Sequence, residues 1–245
     1  MEWYASRFQV VWFVDDKFNV TASKVFEELT NQEPDHTSRN PNPTPNDPYL
    51  SKARGLSHDL QHRVQVVPGR VNWFIESVIE KNELPKSKKL EIKPNLKLIR
   101  NRISELNESL IGTTNRLSVV STIFSPGTSL LAANRKIVEL CNLPLCPEEV
   151  QDLSLQLNIK KRKENVEINR LARFSVQTNY SLLVDALTNQ TIQRKEQHVL
   201  EVVLDFNTVP SDQTFDLKQQ KHIFGILLDE TDAVIKGSNI EFFNT

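Results

Sequence analysis

Apolar and polar positions along the first third of the chain predict a strand, a helix and a strand pair. Residues 7–14 are aromatic and β-branched, which is typical of a mostly buried strand. A helix is predicted from about Thr21 to Asn31, because its apolar residues recur on one face. Residues 63–77 predict a hairpin, since two apolar runs flank the turn dipeptide Pro68-Gly69.

The clearest helical period lies between Pro94 and Gly112, residue types that favour a helix start and a helix end. Its apolar residues follow a 3-4-3-4 spacing and form a narrow stripe: Leu96, Ile99, Ile103, Leu106 and Leu110. A narrow stripe suits packing on another helix better than packing on a sheet. We therefore expect an interaction helix, whose partner is either helix 214–236 of this chain or a helix of another protein.

The second half of the chain repeats this alternation. Strands are predicted at 116–124, 166–178 and 198–206, with helices at 128–142, 147–158 and 214–236. Arg7-Phe8-Gln9-Val10-Val11 resembles Arg116-Leu117-Ser118-Val119-Val120, and the following helices end in Glu28-Leu29-Thr30-Asn31 and Glu139-Leu140-Cys141-Asn142. The predicted fold is α+β, with two β-α-β-β-α-like repeats, mostly antiparallel sheets and packed helices.

The repeat predicts two units, residues 1–112 and 113–245, either as two domains or as one merged domain. A cleft is expected between them. Residues 32–57 interrupt the first unit, and their proline- and asparagine-rich centre, 40–48, blocks helix and removes hydrogen-bond donors. We expect an extended, mobile polar insertion there, and the first site of proteolysis.

Composition narrows the possible functions. The formal net charge of the 245 residues is -1, which argues against a surface that tracks nucleic acid but leaves a local contact open. Only 6 glycines are present, without a glycine-rich phosphate loop, so the common nucleotide-binding enzymes are disfavoured. No apolar run or leader pattern indicates a membrane, and two cysteines favour a reducing cytoplasm.

No pattern predicts a catalytic residue, a metal site or a cofactor. Cys141 and Cys146 lack a second ligand pair, and His58 and His62 precede a strand rather than lie on a helix. Cys146 precedes a helix predicted to begin at Pro147, where the helix dipole can lower a thiol pKa. The favoured interpretation of Cys146, however, is a small buried residue at a turn.

Aromatic residues beside arginines suggest one ligand site. Trp12, Trp73 and Phe74 lie on predicted strands, and the neighbouring arginines are Arg63, Arg70 and Arg173. Such a pairing can bind a planar or anionic ligand, although any half-buried strand shows the same residue types.

Several strand segments resemble an uncharacterised, sporadically distributed bacterial protein family of about the same length. These segments are the N-terminal strand, residues 64–73, residues 173–179, and residues 200–206 with the long helix that follows. The resemblance implies a bacterial cytoplasmic protein and brings no activity. In element order alone, the duplicated unit is also similar to regulatory domains of the gyrase-inhibitor kind, which bind small molecules.

Two functions follow as hypotheses. The first is a non-enzymatic interaction or regulatory protein, such as a subunit of a stress or defence complex, which binds another protein or itself. The alternative is a small-molecule sensor that uses the cleft between the repeats. An enzyme with scattered catalytic residues is the remaining possibility.

Overall fold

In the computed structural model, residues 2–15, 19–78, 89–150, 153–184, 191–210, 213–236 and 239–240 are described. Nine antiparallel strands form one sheet. They are β1 Tyr4–Val14, β2 His36–Arg39, β3 Ser51–Ser57, β4 Leu60–Val67, β5 Arg70–Ser77, β6 Thr114–Gly127, β7 Ser154–Lys163, β8 Val166–Val184 and β9 Thr191–Thr208. Their spatial order is β2-β3-β4-β5-β1-β6-β9-β8-β7. The fold class is therefore α+β, as predicted.

The helices of the described ranges are α1 Ala22–Thr30, α2 Ile92–Glu105, α3 Glu108–Ile111, α4 Leu130–Leu140 and α5 Leu217–Val234. Their ends are set by local chemistry. Thr21 and Ser129 cap α1 and α4 by accepting backbone N–H bonds, and Asp216 forms a capping box with Gln219 at α5. Asn31 ends α1 in the left-handed region with φ 56°. Two short strands, β10 Ile235–Lys236 and β11 Asn239–Ile240, pair after α5.

Strand order is the same on the two sides of the β1–β6 junction. Reading outward from β1, the N-terminal strands run β1-β5-β4-β3, with β2 added at the edge. Reading outward from β6, the C-terminal strands run β6-β9-β8-β7. The two sides join through the β1–β6 pairing, which continues from Tyr4 to Val14. One sheet and one hydrophobic cluster thus extend through both halves.

Helices pack on one face of this sheet, which we call the helix-packed face. Trp12 of β1 contacts Phe224 of α5 edge to face, at 5.2 Å between ring centroids. Gly55 of β3 lies against Phe26 of α1, where a Cβ would come within 3.0 Å of that ring. Lys136 of α4 donates to the hydroxyl of Ser125 on β6. Burial of apolar side chains under these helices supplies the main stabilising free energy.

The five apolar residues of the predicted interaction helix lie inside the chain. Leu96, Ile99 and Ile103 of α2 are buried, as are Leu106 and Leu110 after it. α2 packs against α5 and α1, so the intramolecular partner is the one that the structure forms. The helix is shorter than predicted, since α2 ends at Glu105 with Leu106 as its C-cap. The backbone N–H of Asn107 then donates to the Glu28 carboxylate of α1, and α3 begins at Glu108.

Two sequence predictions are wrong. Residues 32–57 were expected to form an extended loop, yet they contain β2 and β3, and β3 is hydrogen-bonded on both sides. Residues 147–158 were expected to form a helix, yet only Pro147–Glu149 form a 3-10 turn, and β7 begins at Ser154. In β7, Leu155, Leu157 and Ile159 alternate with polar residues, a period-two pattern that favours a strand.

Candidate functional site: the arginine face

The sheet's second face, which we call the arginine face, carries the side chains that point away from Trp12 and its row. The register places His36, Arg54, Arg63, Phe74 and Gln9 in one row across β2, β3, β4, β5 and β1. Ser38, Lys52, Gln65, Asn72 and Val11 form the next row. Side chains of one row are cross-strand neighbours and can act on one ligand together.

Guanidinium groups stack on phenylalanines across this face. The Cζ atom of Arg63 lies 4.3 Å from the centroid of the Phe74 ring, and that of Arg116 lies 4.8 Å from the centroid of Phe13. Glu76 accepts from Arg63 Nη2 at 3.1 Å. These contacts hold the guanidinium planes in fixed positions, which reduces the entropy lost when they bind an anion.

A polar network occupies the centre of the face, around the β1–β6 junction. Asn72 accepts a hydrogen bond from Gln9 at 3.0 Å. Asn207 accepts from Arg116 at 3.0 Å and donates to Asp205 at 3.0 Å. The first bond fixes side chains of β1 and β5 relative to each other, and the other two do the same for β6 and β9.

Among the described residues, the buried polar atoms on this face that have no hydrogen-bond partner include Arg7 Nε, Arg63 Nε, Arg116 Nε and Thr122 Oγ1. Thr122 is only 5 % exposed. Buried polar groups are nearly always paired, because an unpaired one costs about 1–3 kcal/mol. The cost is removed if a bound partner supplies acceptors at these positions.

A cavity of about 380 Å³ opens at the β2–β4 end of the arginine face. The lining includes three basic residues, Lys52, Arg54 and Arg63, together with His36, Ser38 and Gln65. Among the described residues that line it, none is a carboxylate. The volume lies within the range of about 300–1,000 Å³ that is usual for ligand pockets.

Charge is distributed unevenly over the face. Strands β3, β4, β5, β1 and β6 place six basic residues on it, namely Lys52, Arg54, Arg63, Arg70, Arg7 and Arg116. The same strands place a single acidic residue there, Glu76. On the far side, β9 adds Glu201 and Asp205, while β8 adds Arg173. The excess of positive charge therefore lies in the N-terminal half.

The structure separates the residues that the sequence grouped into one ligand site. Arg63, Arg70 and Arg173 do lie on the arginine face. Arg173, however, is four strands from β5, a distance of roughly 19 Å at the usual strand spacing. Trp12 and Trp73 are fully buried on the helix-packed face, whereas Phe74, the third aromatic residue of the predicted group, stacks with Arg63.

Sequence reasoning missed Arg7, Lys52, Arg54 and Arg116 as members of this face. A signal for Lys52 and Arg54 was present, because residues 51–57 alternate small and large polar side chains with a period of two. That signal was lost when the segment was interpreted as a loop. The pairing of Arg116 with Phe13 depends on the β1–β6 register, which no local pattern reveals.

His58 and His62 do not form a pair of ligands. His58 and Asp59 have φ 53° and φ 59° and make the two-residue turn between β3 and β4. His62 is buried, stacks on Trp73, and accepts from Trp73 Nε1 at 3.2 Å. Burial lowers the pKa of His62 to about 4, so the ring is neutral at pH 7. Within the described ranges, no group of three or more His, Cys, Asp or Glu residues could hold a metal ion.

Cys146 lies at a turn, as the favoured interpretation has it, but it is exposed rather than buried. Cys146 precedes only a 3-10 turn and makes no side-chain capping bond. Its thiol donates to the Glu148 carboxylate at 3.1 Å, which raises its pKa rather than lowering it. Burial raises the pKa of Cys141 to about 11. Both cysteines are free thiols, and neither environment favours the reactive thiolate.

A second charged cluster lies at the opposite end of the sheet. Glu230 of α5 is 1 % exposed and contacts Lys163 at 2.7 Å and Lys161 at 3.3 Å. The buried Arg170 lies 3.7 Å away. Burial alone would raise the pKa of Glu230, but the hydrogen bond from Lys163 and the nearby lysines lower it overall. The cluster fastens α5 to β7 and β8, and its cations already have an acidic partner.

Comparison with protein-family models, with curated proteins and with solved structures finds no match to this chain. In the helices of the described ranges, no segment has both the length and the apolar character needed to cross a membrane. The arginine face presents fixed cations, unpaired donors and a cavity, which together suit the binding of acidic groups.

Proposed function

We propose that this chain is a non-enzymatic interaction or regulatory protein, which docks the acidic surface of a partner protein on its arginine face. The observation that carries the proposal is the excess of six basic residues over one acidic residue on β3, β4, β5, β1 and β6. Charge complementarity of this kind sets the orientation of a partner and speeds association. Membership of a larger complex, such as one for stress or defence, belongs to the same proposal.

A protein partner fits the face better than nucleic acid does. Glu201 and Asp205 lie on the same face as the arginines, two strands beyond β1. A phosphate backbone that crossed the whole face would meet these carboxylates, whereas a protein surface can oppose each sign with its complement. The formal net charge of -1 is also unlike that of nucleic-acid-binding domains, which usually carry a basic excess.

The absence of enzymatic activity is supported by the state of the candidate nucleophiles. The pKa values of both Cys141 and Cys146 are raised, so both thiols stay protonated at pH 7. His62, a candidate base, is buried and already accepts a bond from Trp73. Two free cysteines also support a reducing, cytoplasmic location in a bacterial cell.

The shared strand order supports the proposal that residues 1–112 and 113–245 are repeats of one ancestral unit. Each unit contributes one strand to the junction, β1 in the first unit and β6 in the second. Outward from it lies a three-stranded meander in reverse chain order, β5-β4-β3 in the first unit and β9-β8-β7 in the second. Superposition of the Cα traces of the two units tests the repeat. Matching paths for α1 with α4 and α2 with α5 are expected, and unmatched helix positions would contradict it.

The proposed docking is tested by reversing charge at exposed positions of the face. The test variant is the double substitution Arg70→Glu/Arg173→Glu. Both arginines are exposed in the parent protein, so the variant should keep its fold. A partner is first identified from cells by tagging the chain, and its affinity is then measured with both purified proteins. We expect a loss of about tenfold or more in affinity, the equivalent of at least about 1.4 kcal/mol.

The matched control reverses two exposed lysines on the helix side, Lys24→Glu/Lys218→Glu. It changes net charge equally and should retain affinity. Equal loss in both double variants would contradict docking on the arginine face. Arginine-dependent retention of nucleic acid, in place of a protein, would overturn the choice of partner.

The alternative function, a small-molecule sensor at the junction of the halves, has one observation in its favour. A cavity of about 180 Å³ lies between α2 and α5, with Lys97, Arg100 and Asp229 among its lining residues. It is smaller than the usual ligand pocket. A metabolite library screened by thermal shift tests this function, since a ligand that binds the folded state raises the melting temperature. A shift that Lys97→Ala abolishes would favour the sensor.

A further inference from the structure

We infer that the cavity between β2, β3 and β4 is a binding site for a phosphate-class oxyanion. The site consists of Arg54, Arg63, Lys52, His36, Ser38 and Gln65, all on the arginine face. The inference rests on the proposed function only where the phosphate is carried by the partner protein. A free phosphate could occupy the same residues.

Two arginines oppose each other directly in this cavity. Arg54 of β3 and Arg63 of β4 are register partners, and His36 of β2 is the partner of Arg54 on its other side. Like charges at directly opposed positions destabilise a strand pair. An anion bound between them converts this repulsion into attraction, so the folded protein gains stability when it binds.

The basic residues of the cavity differ in how they are held. Arg63 stacks on Phe74 and bonds Glu76. The Nζ atom of Lys52 lies 3.1 Å from the centroid of the Tyr49 ring and 4.0 Å from an Asp47 oxygen. Arg54 is exposed, and the structure records no hydrogen bond or ion pair for its side chain among the described residues. Arg54 therefore has its full set of donors available.

A phosphate-class group fits this arrangement better than a single carboxylate. Three basic side chains converge, two of them guanidinium forks that match two oxygens each. Ser38 and Gln65 add neutral donors on the neighbouring strands. Arg63 Nε is also a buried donor without a partner. A dianion with several acceptor oxygens can use these donors together, whereas one carboxylate would leave some of them unpaired.

Calorimetric titration of the full chain with inorganic phosphate at constant ionic strength tests the site. Arg54→Gln is expected to weaken phosphate binding by about tenfold or more. The control is Arg39→Gln, which removes a charge from the neighbouring edge strand β2 but lies in the register row of Ser51 on the other face. This control should bind phosphate as the unmodified chain does.

Thermal unfolding supplies a second readout, independent of the titration. Without phosphate, Arg54→Gln should melt at the same temperature as the parent or slightly above it, because the repulsion from Arg63 is removed. With phosphate, the parent should rise in melting temperature and the variant should not. Equal phosphate-induced rises in the two proteins would overturn the site.

A phosphoserine peptide, compared with its unphosphorylated form, separates the two sources of phosphate. Arg54-dependent binding of inorganic phosphate alone indicates a free ion. Arg54-dependent binding of the phosphopeptide, with no binding of inorganic phosphate, indicates a partner-carried group. If the binding of neither probe depends on Arg54, the inference is wrong. The charge-reversal experiment at Arg70 and Arg173 still tests the docking proposal separately.

Discussion

The two faces of the sheet use the same strands for different purposes. On β1, the residues that are fully buried beneath the helices are Phe8, Val10 and Trp12. The residues of opposite parity, among them Arg7, Gln9 and Phe13, belong to the arginine face. One face contributes stability through apolar burial, and the other holds charged groups in place through stacking and hydrogen bonds. Alternation along each strand lets both roles occupy adjacent residues, so substitutions one residue apart should have very different effects.

The largest effect is expected on the helix-packed side, from Ile103→Glu in α2. Ile103 is 3 % exposed within the core, and an unpaired buried carboxylate should cost several kcal/mol and unfold the monomer. Denaturant unfolding measures the change. Asn101→Glu, at an exposed position of the same helix, should stay close to the parent. A folded Ile103→Glu protein that loses an oligomer or a bound protein would show that the helix serves an intermolecular contact.

A direct comparison of the faces uses adjacent residues of β1. Trp12→Ala should lower the free energy of unfolding by about 3–5 kcal/mol, because a fully buried ring is removed beside Phe224. Phe13→Ala on the arginine face should cost less than about 1.5 kcal/mol, since Phe13 is partly exposed. Chemical denaturation of both variants provides the measurement. Similar losses at the two positions would remove the distinction between the faces.

Acid should lower the free energy of unfolding, because His62 of the helix-packed face is buried in its neutral form. Burial lowers the folded-state pKa of His62 to about 4, against 6.5 in the unfolded chain. The unfolded state therefore binds the proton first, so this stability is fully present above pH 6.5 and is lost as pH falls towards 4. The loss reaches roughly 3 kcal/mol. In urea unfolding between pH 7 and 4, His62→Gln should show a shallower pH dependence, and an identical slope would contradict the assignment.

The smallest effect on stability is expected from Arg70→Gln on the arginine face. Arg70 is exposed, and a surface substitution of this kind usually changes the unfolding free energy by less than about 0.5 kcal/mol. A change above about 1.5 kcal/mol, seen by chemical denaturation, would mean that the arginines of this face are structural.

The sequence predicted correctly those elements that are determined by residues close to one another in the chain. Turn chemistry and helical period act within a few residues. They therefore predicted three features: the hairpin at Pro68-Gly69, the end of α1 at Asn31 and the apolar stripe of α2. β3 was missed because Gly55 and polar residues fill a strand that packs on Phe26. Its apolar neighbours come from α1, far away in the sequence.

The candidate site depended still more on long-range register. The sequence indicated Arg63, Arg70 and Arg173 as candidates together with Phe74, which does stack with Arg63. The two tryptophans of the predicted group lie on the other face. The alternation of residues 71–75 does not say which face meets the helices, since all five of these residues are buried. That assignment follows only from the contact of Trp12 with α5, and α5 lies about two hundred positions further along the chain.

The sheet ends at β7, whose outer edge carries Lys160 and Arg162 beside the two lysines that hold Glu230. An edge strand of ten residues is a template on which another chain can add a strand. Pairing two such edges would bring their cationic side chains together, and we expect this repulsion to disfavour edge-to-edge aggregation. Neutralising Lys160 and Arg162 should therefore shorten the time before fibrils or precipitate form, without any change in the fold of the monomer.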